Sequence, residues 1–345
     1  MTQRKNKLFP RQVSDIGAFI FVCVMMPATY FYETMLVIPT IYRDAFPSQI
    51  IHNIVGLFLL ANLLGNFCGL WLTDTSTRYV VLPSVIKNSR WKFCASCESV
   101  RPPRWVPKDN NYSKSYYISN TYYILRCQIW MVRIQNSAKS APVKADPLDS
   151  LVCIFIVISS QFNITFSRSW HCNICNICIL KREHHCMFVG YCVGHRNHRY
   201  FCLFLFYMWL SVIYCSYFNS SFLIPQLSEA SWSQILRFIF PMVMLITGLD
   251  ASWLQVYIFF WSVHFAALLL TTVLLAYHVN LVFKGKTTYE NNNNTSIYNL
   301  GLQQNLREVF GKYWYKAILW PGAASPLPHN GIDWDTTETW RLEGL

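Results

Sequence analysis

Four long apolar runs set the limits on what this chain can fold into. Ile16 to Pro39 (IGAFIFVCVMMPATYFYETMLVIP) is apolar throughout, apart from Glu33. A helix of this length outspans the ~30 Å hydrocarbon core of a bilayer at ~1.5 Å per residue. A secretory leader would have a shorter apolar core and a small-residue cleavage site. Residues 50–72, 200–225 and 252–283 are runs of the same class. In lipid every backbone polar group must be satisfied internally, so each run is expected to be a helix. Leu236–Leu249 is also apolar, but too short to cross comfortably. It is expected to be re-entrant, interfacial or luminal. The expected fold class is an all-α integral membrane protein, a four-helix transmembrane bundle with one polar module.

Composition agrees. Charged residues make up 13% of the chain and apolar residues 53%, whereas soluble domains carry about 25% charged residues. Disorder, coiled coil, collagen-like fibre and an ordinary cytosolic enzyme are excluded. The second run carries Asn53, Gly56, Asn62, Gly65, Asn66 and Gly69. The glycines are expected to let helices approach closely, and the asparagines to bond across them.

The net charge of +12 is concentrated in one place. Between Thr73 and Arg199 lie 17 of the 29 Lys+Arg and 6 of the 17 Asp+Glu. A basic loop between bilayer-length runs points to a cytosolic loop beside the bilayer rather than to nucleic acid. The organisation is therefore 1–72, tail and two spans; 73–199, polar module; 200–283, two further spans with the short apolar segment between them; 284–345, cytosolic tail.

Cysteines crowd the same module. Five of the 13 fall between Cys172 and Cys192, and Cys94 and Cys97 form a CxxC pair. Disulfides do not persist in a reducing compartment, so metal is the expected role. The stretch His171–Cys192 (HCNICNICILKREHHCMFVGYC) holds closely spaced thiols and imidazoles with a Glu-His-His-Cys tetrad at 183–186. CxxC suits one tetrahedral ion, because both sulfurs can reach ~2.3 Å from it.

At these residues the chain resembles the DHHC-type protein S-acyltransferases, or palmitoyltransferases. The matching motifs are Cys94/Cys97, Arg101–Arg104 (RPPR), His171-Cys172-x2-Cys175-x2-Cys178, Glu183–Cys186, and Cys192-Val193-Gly194 with Asn197. Downstream, Thr287-Thr288-Tyr289-Glu290 matches the family's TTxE motif, and Tyr298 through Asn305 to Gly311 resembles its C-terminal aromatic/Asn segment. The resemblance runs from the first span to about residue 315.

The resemblance implies two structural zinc ions. One is held by Cys94, Cys97, His171 and Cys178, the other by Cys172, Cys175, His185 and Cys192. It implies Cys186 as the nucleophile toward fatty acyl-CoA, His184 as base and Glu183 as the group orienting His184. The acyl group would then pass to cysteines of membrane-associated proteins, in Golgi or endoplasmic reticulum membranes. Lys181, Arg182, Arg196 and Arg199 are candidate contacts for CoA phosphates or for lipid headgroups. The alternative is a catalytically weakened, zinc-stabilised membrane adaptor of the same family.

Three features depart from the family pattern. Glu183 replaces Asp, adding a methylene; Met187-Phe188 replaces Pro-Trp; and Tyr191 replaces Asn. In addition, 73 residues separate Cys97 from His171, where the family has about nine. Joining Arg104 to Ser169 restores the family spacing, so residues 105–168 are read as an insertion. They are either a genuine loop or translated intron-like sequence. The apolar run Leu151–Phe166 within them is not expected to span.

Overall fold

The structure, a computed structural model, describes residues 10, 12–77, 92–94, 96–97, 99–101, 168–227, 232–248, 252–332 and 334–337. The inserted residues 105–167, with the run 151–166, and residues 102–104 of the RPPR motif lie outside the described residues.

Among the described residues, four helices are long and apolar enough to cross a membrane: α1 (Val13–Ile41), α2 (Phe46–Leu72), α3 (His198–Gln226) and, further along the chain, a helix at Trp253–Phe283. The chain is a multi-pass membrane protein. Between the third and fourth of these lie α4 (Trp232–Ile239) and α5 (Pro241–Thr247), each too short to span. Pro241, at the first turn of α5, interrupts what would otherwise be one apolar helix. The fourth long helix, α6 (Trp253–Phe283), starts at Ser252, whose hydroxyl accepts from Gln255 N at 3.4 Å. Such a cap is worth about 1 kcal/mol. The tail adds α7 (Thr288–Asn292), α8 (Leu302–Phe310) and α9 (Trp314–Leu319).

The chain resolves into two compact units. The first comprises Met1–Thr75 and Arg182–Pro328. Here α3 packs along both α2 and α6. Lipid tails are as apolar as leucine, so cohesion rests on close packing and polar contacts. Phe67 of α2 lies 5.6 Å, centroid to centroid, from both Phe19 of α1 and Phe204 of α3. The same core takes in Val309 and Phe310 of α8, and Cys186, Val189 and Val193 from the segment before α3.

The glycines of α2 do permit close approach. A Cβ on Gly69 would come 2.5 Å from the Tyr200 ring, and one on Gly65 would strike Pro321. The asparagines behave differently from the expectation. Asn62 Nδ2 donates to Phe58 O at 3.0 Å, and Asn66 Nδ2 donates to Asn62 O at 2.8 Å, both within their own helix. Four-residue spacing places each amide directly over the preceding turn's carbonyl, which competes with any partner across the interface.

The second unit comprises Ser76–Lys181 and His329–Leu345. Its described residues include two short antiparallel hairpins. One pairs β1 (Lys92–Cys94) with β2 (Ser99–Arg101) and the other pairs β3 (Trp170–Cys172) with β4 (Ile177–Ile179). The chain's C-terminal stretch packs on this unit. Trp334, 5% exposed, has the Arg168 guanidinium 4.3 Å from its ring centroid and the Lys181 ammonium 5.1 Å from it.

Candidate active site

In the second unit, a tight turn brings Cys97 N to Cys94 O at 3.2 Å, so both sulfurs of the CxxC pair face one point. The β3–β4 register sets His171 opposite Cys178. His171 Nδ1 then lies 3.5 Å from Cys94 Sγ, 3.3 Å from Cys97 Sγ and 3.9 Å from Cys178 Sγ. These separations are the edges of a tetrahedron around an ion at ~2.0–2.3 Å. Burial pushes the Cys97 and Cys178 thiols up from their ordinary range, and for Cys178 the neighbouring Cys94 and Cys97 add to it. A divalent cation reverses that balance and holds both as thiolates. The residues therefore fit a closed Cys3His metal site. On the same hairpin, Cys175 N donates to Cys172 Sγ at 3.5 Å, a second knuckle in the same style.

In the helical unit, β5 (His185–Cys186) pairs with β6 (Tyr191–Cys192), setting His185 opposite Cys192. His185 Nδ1 and Cys192 Sγ are 3.8 Å apart. The far side of the ring is held from a distant part of the chain. Asp15, buried in the first turn of α1, takes His185 Nε2 at 3.0 Å. A carboxylate on one ring nitrogen fixes the tautomer and presents the other as a ligand. The sequence reading missed Asp15. Its one local signal was a single acid at the mouth of an apolar run. Asn197, fully buried, bridges Leu70 O at the end of α2 and Cys192 O, while its Oδ1 accepts from Gly194 N at 2.8 Å. It locks the ligand turn to the bundle.

The tetrad sits between that turn and the tail. Glu183 N donates to Val193 O and Val193 N to His184 O, both at 2.9 Å, pinning the backbone on either side of the tetrad's start. The TTxE motif is a helix start. Thr287 caps α7, with Glu290 N on its hydroxyl at 3.3 Å and its own N–H on Glu290 Oε2 at 3.0 Å. This reciprocal box leaves the next residue at the helix N-terminus, where the dipole favours an anion. That residue is Thr288, and it binds Glu183 Oε2 through its N–H at 2.9 Å and its hydroxyl at 3.1 Å. The extra methylene of Glu183 thus ends on a built anion site.

His184 packs edge-on against Phe201, 4.9 Å between centroids, with His278 at 5.5 Å. Burial first, then His278, Arg182 and His185, lowers it to about 3, so it is neutral at ordinary pH. Cys186 is buried in the apolar core shared with Phe19, Val22, Met26 and Phe201. Burial raises its thiol to about 11, and the backbone N–H groups of Phe188 and Val189 act in the opposite direction. Those N–H groups follow Cys186 in a tight turn and favour a sulfur anion there.

Of the four basic residues, Lys181 is buried against Trp334, as described above. Arg199 donates to Ser325 O at 3.1 Å and stacks on Tyr200, its guanidinium carbon 4.4 Å from the ring centroid. Arg196 N donates to Thr75 Oγ1 at 3.2 Å, which ties the loop before α3 to the end of α2.

Residues 156–295 match the model of one family, the DHHC palmitoyltransferases. Over those residues the chain carries a DHHC-type domain. Among curated DHHC proteins, it is 34% identical over 170 residues to the rat probable palmitoyltransferase ZDHHC24, covering 49% of this chain and 60% of the relative. It is 28% identical over 282 residues to the human protein of that name, covering 81% of this chain and 76% of the relative. It is 34% identical over 162 residues to rat palmitoyltransferase ZDHHC2, covering 44% and 40%. The chain thus spans about three fifths of the rat ZDHHC24 length.

Proposed function

We propose that this protein is a protein S-acyltransferase that carries a fatty acyl group on Cys186. The observation that carries the reading is the Cys186 turn. One tetrad thiol is set among apolar side chains of the bundle, faces two backbone N–H groups, and is flanked by His185, itself oriented by Asp15. An apolar cavity of about 130 Å³ opens among α1, α2, α3 and α6, and its walls include Val22, Met26, Leu59 and Leu63 of the core that also holds Cys186. That arrangement suits a long acyl chain.

In this reading two zinc ions hold the segment in shape, one on Cys94, Cys97, His171 and Cys178, the other on Cys172, Cys175, His185 and Cys192. Neither leaves an open position for substrate, so both are structural. His184 takes the Cys186 proton as the sulfur attacks the acyl-CoA carbonyl. The carbon–sulfur bond to CoA breaks, and CoA leaves as the thiol with that proton. A cysteine of a membrane-associated protein then attacks the Cys186 thioester, giving its proton to Cys186 through His184. Glu183 positions the imidazole, and Arg182, Arg196 and Arg199 are offered to the CoA phosphates. The basic excess of 73–199 supports a cytosolic face for this chemistry, and in this reading the membrane is that of the Golgi or endoplasmic reticulum.

The test is acyl-enzyme formation from alkynyl hexadecanoyl-CoA by the purified full chain. A hydroxylamine-labile label on Cys186 supports the reading. Metal-replete protein that takes no label would instead be an adaptor.

A further inference from the structure

Glu33 breaks the apolar pattern of α1, and the catalytic reading leaves it without a role. At Glu33–Val37 the helix switches to π-helical turns, a local distortion that recurs at functional sites. The side chain is 4% exposed and lines the apolar cavity beside Met25, Leu60 and Val212. Its Oε1 accepts from Asn219 Nδ2 of α3. Asn219 Nδ2 also donates to Cys215 O at 2.9 Å within its own helix and lies 3.4 Å from His264 Nδ1 of α6, whose Nε2 is 3.2 Å from Thr29 Oγ1. Two acceptors are left over. Glu33 Oε2 and Asn219 Oδ1 have no hydrogen-bond partner among the described residues. The Cys215 thiol also lies beside the Glu33 carboxyl.

Polar residues that merely join helices in lipid satisfy one another. A buried carboxylate oxygen left open on an apolar cavity instead matches a ligand that brings its own donor. We propose that Glu33, supported by Asn219 and His264, is a hydrogen-bonding site for the hydroxyl of a long-chain lipid held in this cavity, so that a chain hydroxylated near its far end is preferred over a plain one. A hydroxyl is both donor and acceptor and pairs with Glu33 in either protonation state. An ammonium or carboxylate would bring a further charge to bilayer depth. Position along the helix sets Glu33 at the part of the cavity remote from the tetrad turn. Asp15 marks the level of the tetrad turn, and Glu33 lies 18 residues further along α1, about 27 Å at 1.5 Å per residue.

The preference for a hydroxylated acyl donor rests on the acyltransferase reading, whereas the binding site itself does not. The experiment therefore reads binding. Radiolabelled hexadecanoic acid is displaced from the full chain in lipid nanodiscs by unlabelled hexadecanoic acid or by 16-hydroxyhexadecanoic acid. The hydroxy acid is expected to displace at about tenfold lower concentration, the effect of one good hydrogen bond. Glu33→Leu should bring that ratio to about one, and Glu33→Gln, which still bonds a hydroxyl, should keep it above one. Equal displacement by the two acids in the unaltered protein overturns the proposal even if Glu33→Leu fails to fold. So does a ratio unchanged in Glu33→Leu, or no displacement by either acid. Loss of acyl-enzyme formation with the ratio intact would sink the acyltransferase reading and leave the site standing.

Discussion

Thr288 grips the Glu183 carboxylate with both its N–H, at 2.9 Å, and its hydroxyl, at 3.1 Å, across 105 residues of sequence. The tail motif thereby reaches the tetrad. Glu290 makes this possible without touching Glu183, by closing the capping box that fixes the start of α7. Thr288→Val keeps the shape and the N–H but loses the hydroxyl. A hydrogen bond to a charged group is worth about 1.5–3 kcal/mol, so acyl-enzyme formation should fall by roughly tenfold or more. Thr288→Ser should retain most activity. Single-turnover labelling with metal content measured in parallel checks this, and metal content should not move.

Asp15 acts through His185. Removing its charge while keeping its shape, as in Asp15→Asn, should lower zinc affinity by about 10–100-fold, the usual cost of losing a ligand's outer partner. Competition with a chromogenic chelator measures it. A second, tighter ion on the Cys94 quartet should be unaffected, so the expected result is a biphasic release replacing a single phase.

Close packing at Gly69 gives a prediction independent of chemistry. Gly69→Ala drives a Cβ into the Tyr200 ring, at 2.5 Å, whereas Gly56→Ala meets Tyr30 only at 3.4 Å. Overpacking costs about 1–3 kcal/mol. Thermal unfolding in detergent should show Gly69→Ala clearly destabilised and Gly56→Ala near neutral. Most of the Gly69→Ala penalty should vanish in a Tyr200→Ala background, a coupling expected for residues in contact.

The insertion has a clean test because of the residues at its two ends. Arg104 and Arg168 are both arginine, so excising 105–168 or 104–167 yields the same protein. The arginine that remains, followed by Ser169, keeps the place of Arg168 over Trp334. Lengthening a loop from nine to 73 residues adds only ~2 kcal/mol of closure cost, well under the ~10–16 kcal/mol of structural zinc. The excised protein should match or exceed the full chain in zinc content and acyl-enzyme yield. Loss of both would make the insertion a working part of the protein.

Much of this architecture could be read from the sequence, because lipid leaves a long apolar run few options. The four spans follow from length alone, and the Cys94 quartet is what the resemblance to the DHHC-type family implies. What could not be read was whatever depends on distant pairing. Asp15 meets His185 across 170 residues, and no local pattern encodes that. Thr288 was legible as a motif but not as the partner of Glu183. The asparagines of α2 were read as interhelical bonds, yet at four-residue spacing their own helix supplies the nearer acceptor. Lys181 read as a phosphate contact, and its ammonium lies against Trp334, a residue of the far C-terminal stretch.

The most direct measurement compares Cys186→Ser with Cys178→Ser and Cys192→Ser in the purified full chain, scoring acyl label and zinc per molecule together. Cys186→Ser should lose all hydroxylamine-labile label while keeping two zinc ions. Cys178→Ser and Cys192→Ser should each lose zinc, and with it the fold of the surrounding turn and the label. Label that survives Cys186→Ser, or zinc loss equal in all three, would contradict the division between one reacting cysteine and the cysteines that hold its frame.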